Sequence, residues 1–168
     1  MLDKANEGSN SKSMSIIATK GTLDWAYPPF ILGTTAAAMD MKVTMFFTFY
    51  GLGLLKKELN LKMSTLGNPA MEMPMFGMHM AMPNIIGGFP GVDKGVTMMM
   101  KNLMAKKGIA SIEDLREAAI ESDVRLIACQ MTLDLFEIKD TDLIDGVEIG
   151  GAATAIEVAA NSDINYYM

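Results

Sequence analysis

The sequence is poor in cysteine, histidine and basic charge. Its 168 residues contain one cysteine, Cys129, and one histidine, His79. A single cysteine cannot form a disulfide within the chain, which is typical of proteins from the reducing cytoplasm. The 14 Lys and Arg residues are outnumbered by 20 Asp and Glu, so the formal net charge is −6. We therefore expect no nucleic-acid partner, because binding to phosphates needs clustered basic side chains.

Long apolar runs are also missing. The best candidate for a membrane span, residues 26–39, is shorter than the roughly 18 residues required and contains two prolines. The start, MLDKANEGSNSK, is polar and lacks the apolar core of a signal peptide. We predict a disordered polar tail over residues 1–12 and one domain over residues 13–168. Half of the chain is hydrophobic, which is enough to build a core.

Apolar segments alternate between the patterns of strands and of helices. Strands are predicted at 13–21, 42–51, 124–130 and 164–168, and helical stretches within 22–40, 53–59, 92–108, 111–123, 131–138 and 147–163. Such alternation is typical of a mostly parallel sheet. The predicted fold is α/β, a single-domain three-layer sandwich with about five strands and helices on both faces.

Helix boundaries carry their own signals. Thr22 or Asp24 can cap the first long helix, and the pair Pro28-Pro29 is expected near its first turn, where a missing N–H costs least. Ser111 is followed three residues later by an aspartate, as in a capping box. Gly108 is expected to end the preceding helix.

Residues 60–95 are rich in Gly, Pro and Met and show no clean period, which in a compact domain favours a functional or mobile segment. Residues 69–83, PAMEMPMFGMHMAMP, hold six methionines beside His79. Thioether and imidazole donors together select Cu(I). The favoured interpretation is apolar instead, because unbranched Met fills irregular gaps and adapts to a partner. No metal site is therefore predicted.

Three segments are expected at the carboxyl edge of the sheet, where ligands bind in open α/β proteins: 20–22, 49–51 and 128–130. Cys129 ends a strand and precedes a short helix, whose N–H groups would lower the pKa of the thiol. The alternative is a cysteine that only fills the core. Thr22, Tyr50 and Gln130 are the candidate polar groups of a pocket.

Two other chemistries have weak signals. A relay between His79 and Cys129 is weak because no Asp or Asn is fixed beside the histidine by sequence. Gly51 and Gly53 follow a strand, but Lys56 stands where the dinucleotide-binding pattern needs its third glycine, and no P-loop is present. The sequence therefore predicts no cofactor.

Four stretches resemble a known family. They are SIIATKGTLD, VTMFFTFYGLGLLKK, the segment from the Met-rich stretch through GVTMMMKNLMAKKG, and IEDLREAAIESDVRLIACQMTLDLFEI. The resemblance extends over nearly all of residues 14–168, and the turn ACQMTLD around Cys129 is its most specific part. The chain is similar to the DsrE/DsrF-like proteins, and most of all to their larger subfamily with a Met- and Pro-rich insertion.

The resemblance implies that Cys129 carries sulfur as a persulfide or a thiosulfonate and exchanges it with a small sulfur-carrier protein. It also implies a homo-oligomer in the cytoplasm and allows peripheral association with a membrane. The Met-rich insertion would supply an apolar cover over the thiol, and Met131, Met80 and Met82 are further candidate pocket residues. Some relatives are labelled peroxiredoxin-like, but the Thr and Arg arrangement of a peroxidatic cysteine is missing here.

The lack of a second cysteine restricts this chemistry. A dithiol cycle within one chain is excluded, so any transfer must be intermolecular. The alternative is a non-catalytic oligomeric binding module that docks a partner or a membrane surface through the Met-rich insertion. In that case Cys129 would be buried and inert.

Overall fold

The structure, a computed structural model, describes residues 11–66, 72–75, 78–81, 89 and 91–168; for 72–75 and 78–81 it describes the backbone. The strands are β1 Ser13–Ala18, β2 Lys42–Phe47, β3 Glu72–Met75, β4 Met78–Ala81, β5 Arg125–Cys129, β6 Glu148–Gly150 and β7 Ile164–Tyr167. The helices are α1 Leu23–Ala38, α2 Val92–Lys106, α3 Ile112–Glu121, α4 Gln130–Leu135 and α5 Ala152–Ala160, with 3-10 helices at Phe49–Leu55 and Asp140–Asp142.

Five parallel strands form the main sheet in the order β6-β5-β2-β1-β7. The inner strands are apolar on both faces, as parallel strands covered on both sides must be. Ile16, Met45 and Leu126 pack with α1 and α3, whereas Phe46 and Ile127 point the other way, toward α5. The predicted α/β fold, with helices on both faces, is confirmed.

The larger core lies on the α1 side of the sheet. Phe30 of α1 and Phe47 of β2 are fully buried, with ring centroids 5.8 Å apart. Burying each ring contributes roughly 1.5–3 kcal/mol. Gly33 lets α1 approach the sheet, because a Cβ there would lie 2.9 Å from Met45 Sδ. Among the described residues, no helix is long and apolar enough to cross a membrane.

Several boundary signals are confirmed. Ser111 Oγ accepts a hydrogen bond from Asp114 N at 3.1 Å, and Ser111 N donates to Asp114 Oδ2 at 2.9 Å, which completes the predicted capping box. Gly108 follows α2 with φ of +69°, the conformation that ends helices. Thr22 occupies the N-cap position of α1, but its hydroxyl makes no capping hydrogen bond.

Two local predictions around the first helices are wrong. Pro28 and Pro29 lie inside α1 and not in its first turn, because the helix begins at Leu23. Ala26, Pro29 and Phe30 are buried on the inner face of the helix, and this burial compensates for the missing N–H donors. The stretch after β2, predicted as strand to residue 51 and then helix, is a 3-10 helix that begins at Phe49.

Two further elements differ from the prediction. Residues 148–150 form β6 and not the start of a helix, because they pair with β5 at the edge of the sheet. Within the Met-rich segment, β3 and β4 form an antiparallel pair, where no regular structure was predicted. The remaining positions of that segment, 67–71, 76–77, 82–88 and 90, lie outside the described residues, as do residues 1–10 of the predicted tail.

Candidate functional site

The carboxyl ends of β2 and β5 place Thr48 beside Cys129. Phe47 pairs with Ala128 in the parallel register, so the next residues along the two strands are neighbours. Side chains alternate between the faces of a sheet. Thr48 and Cys129 therefore share the face that is covered by α5.

Cys129 lies in a small apolar cluster. It is 5% exposed and packs with Phe46, Ile127 and Ala155. Gly150 is its register partner on β6, and a Cβ at that glycine would lie 2.9 Å from Ile127 Cγ2. The absence of a side chain at position 150 therefore lets β6 and the start of α5 pack closely against Ile127, next to the cysteine.

Two threonines connect the turn after β2 with the first turn of α4. Thr48 Oγ1 and Thr132 Oγ1 are 3.1 Å apart, and Phe49 N donates to Thr132 Oγ1, also at 3.1 Å. Thr132 is 1% exposed and stands three residues after Cys129, one helical turn away. Phe49 has φ of +47°, a strained value for a bulky residue that concentrates at functional sites.

These groups set the acidity of the thiol. Burial opposes ionisation, but hydrogen bonds from the hydroxyls of Thr132 and Thr48 and from the N–H groups of Thr132 and Met131 outweigh it and lower the pKa of Cys129. The neutral thiol makes no capping hydrogen bond. The donors favour the thiolate because a charged acceptor forms stronger hydrogen bonds than a neutral one.

A cleft of about 830 Å³ lies on the other side of the β2 turn. Thr22 and Tyr50, two of the predicted pocket residues, both line it; the other described lining residues are Lys20, Gly21, Asp24, Trp25, Pro28 and Ser64. Cys129 is not among them. The structure thus brings Thr22 and Tyr50 together but places them in a cleft separate from the thiol.

The other predicted site residues are spread out. Gln130 is exposed, and its amide donates to Asp134 Oδ1 at 2.9 Å. Met131 is 60% exposed. Met80 belongs to β4, where the backbone is described, and Met82 lies outside the described residues.

Sequence reasoning missed Thr48 and Thr132. Thr48 immediately follows a strand that ends at the same edge as Cys129, and Thr132 occurs one helical turn after the cysteine. Both positions were therefore detectable as polar residues at a strand end and in a first turn. Their contact, between residues 84 positions apart, depends on the pairing of β2 with β5.

The lowered pKa predicts an unusual pH dependence of alkylation. We expect the iodoacetamide reaction of native Cys129 to reach half of its maximal rate at a lower pH than in the unfolded protein, because the thiolate is the reactive form and its pKa is lowered in the fold. Burial should keep the maximal rate low. The measurement is the rate against pH by intact mass, with the urea-unfolded protein as control. Equal midpoints in the two states would contradict the prediction.

The fold and the site define a class of protein: an α/β protein with one cysteine, which ends a central parallel strand and is surrounded by donors that favour its thiolate. The chain belongs to the DsrE/DsrF/DrsH-like family, whose model matches residues 10–167. The family predicted from the sequence is thereby confirmed. Membership of the subfamily with the Met-rich insertion stays a prediction.

Two relatives are similar along nearly their whole length. The sulfur carrier protein DsrE2 of Allochromatium vinosum is 55% identical over 157 residues, which cover 94% of this chain and 98% of the relative. The uncharacterized protein YrkE of Bacillus subtilis is 31% identical over 163 residues, with the same coverage. Among solved structures, the ychN protein from E. coli superposes with a TM-score of 0.52 at 13% identity, covering 94% of this chain and 99% of that one. That likeness supports the fold alone.

Proposed function

We propose that the protein is a sulfur carrier that holds sulfane sulfur on Cys129 and exchanges it with a cysteine of another protein. The observation that carries the proposal is the set of hydroxyl and N–H donors that lower the pKa of this buried thiol. The 55% identity to a protein named as a sulfur carrier points to the same chemistry. A nucleophilic thiolate is the first requirement of sulfur transfer.

The proposed step needs no external oxidant or reductant. The thiolate of Cys129 attacks the terminal sulfur of a donor persulfide, R–S–SH. A new S–S bond forms to Cys129, the S–S bond of the donor breaks, and the donor thiolate leaves with the electron pair. The products are the Cys129 persulfide and R–S⁻, and attack by an acceptor thiolate on the outer sulfur reverses the step.

The surroundings of the thiol suit a bound sulfane. Phe46, Ile127 and Ala155 form an apolar wall that excludes water. A hydroxyl of the pair Thr48 and Thr132 can donate a hydrogen bond to the outer sulfur after loading, as it can to the thiolate before. A persulfide held in this way should hydrolyse more slowly, and react more slowly with small thiols, than a persulfide on an exposed cysteine.

The same proposal extends to the partner and the location. The single cysteine makes every transfer intermolecular, and the family resemblance points to a small sulfur-carrier protein as the partner. Met131 and Leu135, exposed apolar residues of α4 beside the cysteine, suit its docking. A homo-oligomer stays an expectation from the resemblance. A free cysteine fits the cytoplasm. Peripheral membrane association stays an expectation from the resemblance.

The test is sulfur loading of the wild-type protein. The reduced protein is incubated with a small persulfide or polysulfide, freed of excess reagent and weighed intact by mass spectrometry under non-reducing conditions. We expect a gain of one sulfur atom, located on the peptide that contains Cys129 and removed by dithiothreitol. A protein that keeps its reduced mass under conditions that load a known carrier would contradict the proposal.

A further inference from the structure

We propose that Thr132 is a positioning residue for the sulfur of Cys129: its hydroxyl, fixed by Phe49 N–H and by Thr48, donates a hydrogen bond to the sulfur when the thiolate forms. The inference rests on the proposed function, since the thiolate is the form that accepts sulfane sulfur. Thr132 would not react itself. It would set the fraction of Cys129 that is ionised and the position of the charged sulfur.

Counting the protons of Thr48 and Thr132 supports a hydrogen bond from Thr132 to the sulfur of Cys129. Each hydroxyl has one proton and two lone pairs. Phe49 N–H occupies one lone pair of Thr132 Oγ1, and the 3.1 Å contact with Thr48 uses a second site. Thr48 has one proton and cannot donate it to Thr132 and to the sulfur at once; when it donates to Thr132, the proton of Thr132 is left without an acceptor in the pair. The sulfur of Cys129, one helical turn earlier, is then its acceptor.

The backbone fixes the geometry of this donor. Phe49 adopts φ of +47°, and the turn is held by Thr48 N donating to Ala18 O and by Gly51 N donating to Thr19 O, each at 3.0 Å. Phe49 N–H is therefore aimed at Thr132 by the main chain. Donation into an acceptor hydroxyl also makes that hydroxyl a better donor.

Burial keeps solvent from replacing the hydroxyl. Thr132 and Cys129 are 1% and 5% exposed, so water does not compete for a hydrogen bond between the hydroxyl and the sulfur. The charged groups on the elements packed around the cysteine are Lys42 on β2, Arg125 on β5, Asp134 on α4, Glu148 on β6 and Glu157 on α5. None of these charges contributes to the lowered pKa of Cys129, which arises from hydrogen bonds.

The test compares Thr132→Val, which keeps the shape, with Thr132→Ser, which keeps the hydroxyl. The readout is the pH midpoint of Cys129 alkylation in the folded protein, because a purely structural role would not move it. We expect the midpoint of Thr132→Val to rise by about one pH unit, which is the effect of losing one hydrogen bond to a charged group. Thr132→Ser should stay close to wild type.

Thr48→Val provides a second variant in case Thr132→Val does not fold. It removes the neighbouring hydroxyl but leaves Phe49 N–H on Thr132, so we expect a smaller rise in the midpoint. The proposal is overturned if folded Thr132→Val keeps the wild-type midpoint, or if Thr132→Ser shifts as far as Thr132→Val. If Thr132→Val is unfolded, an unchanged midpoint in Thr48→Val overturns it.

Sulfur loading separates this inference from the proposed function. At a pH below both midpoints, Thr132→Val should load from a small persulfide about tenfold more slowly than wild type and recover when the pH is raised past its midpoint. If the wild-type protein never gains sulfur but Thr132→Val shifts the alkylation midpoint, the proposed sulfur-carrier function is overturned. The role of Thr132 in favouring the thiolate would still stand. Slow loading that does not recover at high pH would count against Thr132.

Discussion

Replacing Cys129 by serine is expected to abolish sulfur loading completely while leaving the fold in place. Serine has nearly the same shape, but its hydroxyl cannot form a persulfide. Because the chain has no other cysteine, no second thiol can take over. The measurement is the intact mass after exposure to persulfide, beside wild type. A serine variant that still gains a sulfur removable by dithiothreitol would contradict the assignment of Cys129 as the sulfur-carrying residue.

Stability measurements separate this loss from misfolding. A buried hydroxyl without a partner costs about 1–3 kcal/mol. The hydroxyls of Thr48 and Thr132 lie beside position 129 and can bond to the new serine, so the loss of stability in Cys129→Ser should be near the lower value. Cys129→Ala is the matched control, because it removes sulfur and hydroxyl together. Both variants should unfold cooperatively in urea, and neither should load.

The same variants test the acidity of the thiol through stability. The pKa of Cys129 is lower in the folded chain than in the unfolded chain. The resulting stabilisation of wild type relative to Cys129→Ser is fully present above the unfolded thiol pKa of about 8.5, and it is lost as the pH falls through the folded-state pKa. A stability difference that stays constant over this range would mean that the folded and unfolded thiols ionise alike.

Local patterns were enough to predict the fold and the position of the cysteine. β5 is an apolar run that ends where the pattern changes to a helix, so Cys129 had to stand at the carboxyl edge of a buried strand. The capping box at Ser111 depends on neighbouring residues and was also readable from sequence. Interactions within a few residues of the chain decide both features.

Features decided by tertiary pairing were not predictable. β6 has three residues and a helix-like context, and its pairing with β5 makes it a strand. Pro28 and Pro29 stay within α1 because packing of the helix outweighs the lost donors. The contact of Thr48 with Thr132 needs β2 and β5 side by side. Placing Thr22 and Tyr50 in a cleft separate from Cys129 likewise required the arrangement of three strands.

Gly51→Ala is expected to cause a large loss of stability, about 3 kcal/mol. A Cβ at Gly51 would lie 2.3 Å from Ala18 O and 2.7 Å from Ala18 C. These are backbone atoms at the end of a central strand, and Ala18 O already accepts a hydrogen bond from Thr48 N. The collision cannot be relieved by turning a side chain, so the turn after β2 has to move.

Gly53→Ala is the matched control in the same 3-10 helix, since a Cβ there meets nothing within 4 Å. Its stability in urea should stay within about 1 kcal/mol of wild type. Displacing the turn should also draw Phe49 N–H away from Thr132, so the alkylation midpoint of Cys129 should rise in Gly51→Ala and stay unchanged in Gly53→Ala. Equal stability of the two variants would mean that β1 and this turn are not held together as the structure shows.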